Sequence, residues 1–253
     1  PVLLWRPPAG EGVRVDDGLQ TGDTITTNYD PLLAKIIAHG DTRAAAVRRL
    51  RGALAQTVLL GLRTNQAYLN HILEQPAFLS GDTTTNFLAE HGHGPEIPAD
   101  KRTLALVIAA LARYRADAGD GPGYWRNNPG TPAPWRFEVD GEVIDVSLWP
   151  ERRTPGRFTA ALSSGEGVTV TLDRFDCVEM ALTVDGVRHE IILAVHGDIQ
   201  WVRAEWGTMR LDARPLLAEP RRAAAGGSLG APMPGRVLAV LVEVGQAVEE
   251  GQP

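Results

Sequence analysis

Cysteine is almost absent from this chain. Cys177 stands alone, so no internal disulfide can form and no cysteine-based zinc site can be built. That usage suits a reducing, cytoplasmic compartment. No apolar run approaches the roughly 20 residues needed to cross a bilayer as a helix, so membrane insertion is not expected. There is no basic excess either. Lys plus Arg number 25 against 31 Asp plus Glu, a net charge of −6, which argues against a generic grip on nucleic acid. The first residues, Pro1-Val2-Leu3-Leu4-Trp5, carry neither an initiator methionine nor the basic-then-apolar pattern of a signal peptide. The last, Glu250-Gly251-Gln252-Pro253, follow a strand-and-turn pattern with no closing element, so the chain reads as a piece of a longer polypeptide. P-loop, dinucleotide-binding and paired-carboxylate motifs are all missing, and no catalytic centre is expected in the piece itself.

What remains is an ordinary globular composition of 43% apolar and 22% charged residues over 253 positions, enough for one to two domains and part of another. Residues 1–91 read as mixed α and β. The apolar run Pro31–Ala38 predicts a buried strand. Asp41 is the expected N-cap of a helix whose buried stripe is Ala44, Val47, Leu50 and Leu54. Thr64 is a second expected cap, ahead of Tyr68, Leu69, Ile72 and Leu73, with Gln75-Pro76 ending that helix. A further short helix begins near Thr85.

The Gly/Pro-rich stretch 92–99 predicts a boundary between segments. Asp100 then caps a helix running to about Asp117. Its centre, Leu104 to Ala112, is apolar at nine consecutive positions, which a surface helix would not tolerate. Residues 119–134 hold six Gly or Pro in their first dozen positions and form a long loop, of a kind that usually carries function. From Trp135 the period becomes two. Eight strands are predicted near 135–139, 142–149, 157–163, 167–173, 176–184, 187–195, 199–205 and 208–213, with type I′ turns at Asp140-Gly141 and Asp185-Gly186. Short connections imply an antiparallel meander closed into a barrel. The greasy helix needs an apolar jacket, and these strands are what can supply it. A helix is about 10 Å across, so an eight-stranded barrel around it must be widened, tilted or incompletely closed. The expectation is therefore a helix inside, or plugging, that barrel. An Ala/Gly linker over 216–230 follows. Val237, Leu238, Val240, Val242 and Val244, with a turn at Gly245, then predict the start of another β domain.

Candidate chemistry is sparse. Gly226-Gly227-Ser228-Leu229-Gly230 fits a nucleophile-elbow spacing, but an Ala/Gly linker before it and Pro-Met-Pro after it contradict the strand–turn–helix context. His91 and His93 lack further ligands nearby. His189 reads as a hydrogen-bonded core residue. Cys177 reads as a bystander thiol within a strand. Arg43, Arg48, Arg49 and Arg51 read as a solvated helix face rather than a phosphate site. Lys35 reads as one half of a structural ion pair. Tyr124-Trp125-Arg126, displayed on the long loop, has residue types favoured at binding hot spots, though Trp125 plugging the barrel mouth is an equal alternative.

Three stretches resemble one family. Tyr29-Asp30-Pro31-Leu32-Leu33-Ala34-Lys35-Ile36-Ile37 and Gly61-Leu62-Arg63-Thr64-Asn65, with Thr85-Asn86-Phe87-Leu88, resemble the C-terminal end of biotin carboxylases. Ala231-Pro232-Met233-Pro234-Gly235 resembles the opening of a biotinyl carrier domain. Their order resembles the α subunit of biotin-dependent acyl-CoA carboxylases of the propionyl- and methylcrotonyl-CoA kind. The resemblance implies an α+β chain. It would hold part of an ATP-grasp biotin carboxylase (1–93), a subunit-joining barrel around a helix (94–215), a linker (216–230) and the start of a lipoyl-like carrier domain (231–253). It also implies a parent that uses ATP, Mg²⁺ and bicarbonate to carboxylate biotin, then passes the carboxyl group to an acyl-CoA on a carboxyltransferase β subunit. None of these cofactors is expected on the piece. Tyr124, Trp125 and Arg126 would occupy the hook that touches the β subunit, and Arg14, in Gly12-Val13-Arg14, would help pair α subunits. The competing expectation is a ligand-binding or scaffolding barrel on an unrelated carrier protein.

Overall fold

A computed structural model describes residues 1–217, except 27, 29, 92–93, 119–130, 152, 164 and 166, together with 240–242 and 245–247. The chain divides into two compact units, Pro1–Leu216 and Leu217–Pro253.

The first unit opens with two small antiparallel sheets. Strand β1 (Leu4–Arg6) pairs with β4 (Val58–Leu60), and β2 (Val13–Asp17) pairs with β3 (Ala34–Ala38). The strand expected from Pro31 thus begins at Ala34 and is half-buried rather than buried, because Asp30-Pro31 still turns the chain and one face of β3 stays open. Helix α1 (Arg43–Gln56) buries Val47, Ala53 and Leu54. Its cap is Thr42, not Asp41, since the Thr42 hydroxyl is the group that accepts from the Ala45 N–H at 3.1 Å. Helix α2 (Gln66–Ile72) follows Asn65, while the Thr64 hydroxyl accepts weakly from the Gln66 N–H at 3.4 Å. Ile72 and Leu73 are buried but Leu69 faces solvent, so the expected stripe is only half used. Pro76 does not merely end that helix. It opens α3 (Pro76–Ser80), where a residue without an N–H is tolerated in the first turn. Helix α4 (Phe87–His91) completes this part.

Helix α5 (Ala99–Ala118) starts two residues earlier than expected, placing Asp100 in its first turn, where a carboxylate favours the helix dipole. Around it run β5 (Ala133–Val139), β6 (Glu142–Pro150), β7 (Arg157–Leu162), β8 (Gly167–Phe175), β9 (Glu179–Val184), β10 (Val187–His196), β11 (Ile199–Ala204) and β12 (Gly207–Ala213). They form a closed antiparallel barrel in the order β10-β11-β12-β5-β6-β7-β8-β9. Asp140-Gly141 and Asp185-Gly186 have positive φ at both positions (51° and 86°, 50° and 79°), the requirement of a type I′ hairpin. Every residue from Leu104 to Ala112 is at most 5% exposed, and they join one core with the inward residues Phe137, Val146, Leu148, Leu182, Ile191, Leu193 and Leu211. Burying a side chain such as Leu106, Ile108 or Leu111 contributes about 1.5–3 kcal/mol each. Ala105, Ala109, Ala110 and Ala112 keep the helix thin enough to be surrounded.

Closure is unequal around the wall. The β12–β5 seam has two residue pairs, Asp212↔Glu138 and Ala213↔Phe137, whereas every other ladder has five or more. The seam is strengthened from outside by Arg214, whose guanidinium meets Glu138 at 2.8 Å, and by the Arg214 N–H donating to Arg136 O. The barrel is nonetheless closed around the helix, with this seam as its shortest ladder. Cys177 is not in a strand. It sits exposed in the β8–β9 connection with φ of 73°. In the second unit, Val240–Val242 are exposed and outside any strand, while Gly245 turns with φ of 92°.

Candidate partner-docking surface

The barrel interior offers no room for a ligand among the described residues, because its own helix fills it. At the end where α5 leaves the barrel, Tyr114 meets Phe158 edge to face at 5.4 Å, sealing the wall. Function must therefore be sought on the surface and at the ends. The loop between α5 and β5 has feet that are fixed on both sides. Ala133 is buried and paired with Leu148. One turn before α5 ends, Arg113 is tied to β11 and to Gly197. Tyr124, Trp125 and Arg126, the expected docking residues, lie outside the described residues. So do His93 and the Gly226–Gly230 motif.

Arg14 is described. It lies on β2 with its side chain 70% exposed, and its guanidinium pairs within the strand with Asp16 at 3.0 Å. Lys35, directly across from Asp16 in the β2–β3 register, reaches the same carboxylate at 3.4 Å. Lys35 is thus the ion-pair residue expected, though at the surface, where such a pair contributes about 0–1 kcal/mol. His189 is the satisfied core histidine expected. It is 5% exposed, its Nδ1 lies 2.6 Å from Glu205 Oε1, and its ring meets Trp206 edge to face.

The arginines of α1 do more than face solvent. Arg43 lies over the Phe78 ring and donates to Phe78 O, Arg49 donates to His39 O at 2.7 Å, and Arg51 pairs with Glu74. Three of the four are engaged in holding α1 to neighbouring segments. No group of three or more His, Cys, Asp or Glu is placed to hold a metal among the described residues. Lys35 and Lys101 are the lysines of the chain. Both are engaged, Lys35 with Asp16 and Lys101 with Asp100 and the Trp206 ring.

The feature the sequence reading missed is the seam between the first 90 residues and the barrel. Trp201, on the outer face of β11, packs with Val58 and Leu60 of β4. Leu3, Leu4, Ile192, Ala194 and Ile199 close around them. Arg203 reaches across to Ala55 O at 2.5 Å, and burial pushes its guanidinium below the ordinary arginine range. Arg6 pairs with Glu179 at 2.8 Å and Arg63 with Asp140 at 3.4 Å. A cleft of about 910 Å³ runs beside this seam, between α2 and the β11–β12 hairpin. Its charged lining is largely paired: Arg63 with Asp140, Arg210 with Asp212, Glu205 with His189. It reads as the edge of a junction rather than a binding site. Ile199-Gln200-Trp201-Val202 carries the signal that could have revealed the seam, since large side chains at successive strand positions mean that both faces are covered.

Residues 1–90 match the biotin carboxylase C-terminal domain, and residues 102–216 match the BT domain of the methylcrotonyl-CoA carboxylase α subunit. Among curated proteins, methylcrotonoyl-CoA carboxylase subunit alpha of Dictyostelium discoideum is 28% identical over 99% of this chain and 39% of its own length. The propionyl-CoA carboxylase alpha chain of Ruegeria pomeroyi is 31% identical over 97% of this chain and 38% of its own. A solved biotin carboxylase subunit of pyruvate carboxylase is 32% identical, covering 38% of this chain and 22% of that one, with a TM-score of 0.36. The chain spans about two fifths of the length of the two curated relatives. Biotin carboxylase sequence joined to a helix-filled barrel defines the class, that of biotin-dependent carboxylases. Within it, the chain belongs to the α-subunit family of acyl-CoA carboxylases, as the C-terminal biotin carboxylase end followed by the BT domain. An unrelated carrier protein, the competing expectation, is set aside by these matches. No helix among the described residues is long and apolar enough to cross a membrane.

Proposed function

We propose that the parent protein is the cytoplasmic α subunit of a multi-subunit acyl-CoA carboxylase, carboxylating biotin with ATP, Mg²⁺ and bicarbonate for transfer to an acyl-CoA. Its barrel docks this α subunit to a carboxyltransferase β subunit. We assign residues 1–93 to the biotin carboxylase end, 94–215 to the docking domain, 216–230 to a linker and 231–253 to the start of a biotinyl carrier domain. Tyr124, Trp125 and Arg126 are the docking anchors, and Arg14 is a contact between α subunits.

One observation carries the docking reading. The barrel is packed shut by its own helix, so the domain cannot act by enclosing a ligand, and a Gly/Pro loop with an aromatic-rich centre springs from two rigid feet. Aromatic side chains and arginine supply most of the energy at such anchors. Titration of the chain with a carboxyltransferase β subunit tests this. Wild type binds. Trp125→Ala weakens binding by about 30-fold, the equivalent of about 2 kcal/mol. Unchanged affinity in Trp125→Ala, and in a variant with 121–128 replaced by Gly and Ser, would rule the loop out as the anchor.

A further inference from the structure

The helix that fills the barrel faces a register problem. It is apolar at nine consecutive positions and lined with alanines, so rotating or sliding it by a turn would again present apolar side chains to the wall. Hydrophobic attraction is non-directional and does not distinguish such states well. A buried polar contact does, because in the wrong register it is left unpaired. One contact of this kind lies at the helix surface within the barrel.

Gln200 is fully buried on the inner face of β11. Its Oε1 accepts from Arg113 Nε at 2.6 Å, and its Nε2 donates to Ala109 O at 3.2 Å. The pairing also fixes which way the amide points, since a guanidinium N–H can only donate and a carbonyl can only accept. Arg113 continues to Gly197 O at 3.3 Å, at the β10–β11 turn. Burial lowers the Arg113 pKa, and the nearby carboxylates of Asp198 and Asp117 oppose that shift. The next residues of the same strand point the other way. Trp201 packs on β4 and Arg203 holds Ala55 O, both in the biotin carboxylase end.

We propose that Gln200 is a positioning residue that latches the central helix in register, and that β11 ties this latch to the biotin carboxylase end through Trp201 and Arg203. The foot of the docking loop, five residues beyond Arg113, is thereby set relative to the biotin carboxylase end. The statement about docking rests on the function proposed above; the latch does not.

The test uses the whole chain. In Arg113→Leu/Gln200→Leu both polar partners are removed together, so no charge is left orphaned in the wall. The double variant keeps a cooperative thermal transition, while amide exchange at Ala110–Arg115 accelerates about 10-fold or more and exchange in β6 and β7 is unchanged. Gln200→Glu, which keeps an acceptor for Arg113, stays closer to wild type. Should the double variant fail to fold, Gln200→Asn, one methylene too short to reach, replaces it with the same expectation. Unchanged exchange at Ala110–Arg115 in a folded variant overturns the latch. Binding to a carboxyltransferase β subunit is measured alongside and falls about 5-fold or more. Faster exchange with unchanged affinity upholds the latch and counts against the loop as the docking element.

Discussion

The barrel and the first 90 residues bury their apolar side chains in different ways. The barrel has one continuous core, in which the helix and the inward faces of the strands exclude water from every side. The first 90 residues divide theirs among small clusters: Val2, Leu19 and Leu59; Val47, Leu54 and Leu73; and Val58 with Leu60, which Trp201 of the barrel covers. Leu32, Leu79 and Leu88 remain exposed. Two short two-stranded sheets cannot hold themselves together in water, so this region depends on what it packs against. The barrel is a self-contained scaffold, and the first region is stabilised through contact.

The comparison can be broken most severely from inside. Ile108→Asp places a carboxylate where no water or partner is available, and burying an unpaired charge exceeds the stability of most domains. The expected result is loss of the cooperative thermal transition in circular dichroism. Trp201→Ala comes next, at about 3 kcal/mol. Because Trp201 faces outward, it separates the two regions: proteolysis within residues 1–93 accelerates while the barrel transition survives. Loss of both together would show that the regions are one cooperative unit.

Acid has a smaller effect, with a defined sign. Asp145 is held below the usual carboxylate range by the Arg136 guanidinium, with hydrogen bonds of 2.6 and 2.9 Å. Asp176 is held low by the backbone N–H groups of Glu179 and Val178. A folded-state pKa below the unfolded value near 3.9 gives stability that is present above that value and is lost as pH falls through the folded one. The barrel's Tm is expected to drop below about pH 4, and Asp145→Asn to remove part of that drop. The smallest change is Arg14→Ala, within about 0.5 kcal/mol on stability, since its ion pair is exposed. Reduced self-association with an unaltered Tm would support Arg14 as a contact between α subunits, and unaltered self-association would remove it from that role.

The barrel was legible because its signals are local and redundant. Two Asp-Gly pairs demand positive φ twice over, and nine apolar residues in a row leave a helix no polar face. All eight strands fall close to where the alternation places them. The first 90 residues were less legible. Strands β1 and β4 are three residues each, too short for a period to register, and β4 packs against Trp201, which is 141 residues beyond Leu60. Thr42 displaced Asp41 as a cap through backbone geometry that composition does not encode. Cys177 reads as a strand residue because it lies between two stretches of alternating pattern, ending at Phe175 and resuming at Glu179. Asp176, two hydrogen bonds in hand, turns the chain there instead. Gln200 drew no notice because a single glutamine gains meaning only when the helix opposite it is known. Tyr124, Trp125 and Arg126 are legible as residue types in a Gly/Pro-rich stretch, and they lie outside the described residues.

Hydrogen exchange at the amides of Leu104–Ala112, compared with those of α1 and α2, tests the central claim most directly. With its latch intact, a helix sealed within a closed barrel opens only when the barrel does, so in the wild-type chain these amides should be the slowest and exchange together at the rate of global unfolding. Exchange as fast as that of α1 and α2 would mean the helix is reached by water without unfolding, and the barrel built around it would be the wrong structure.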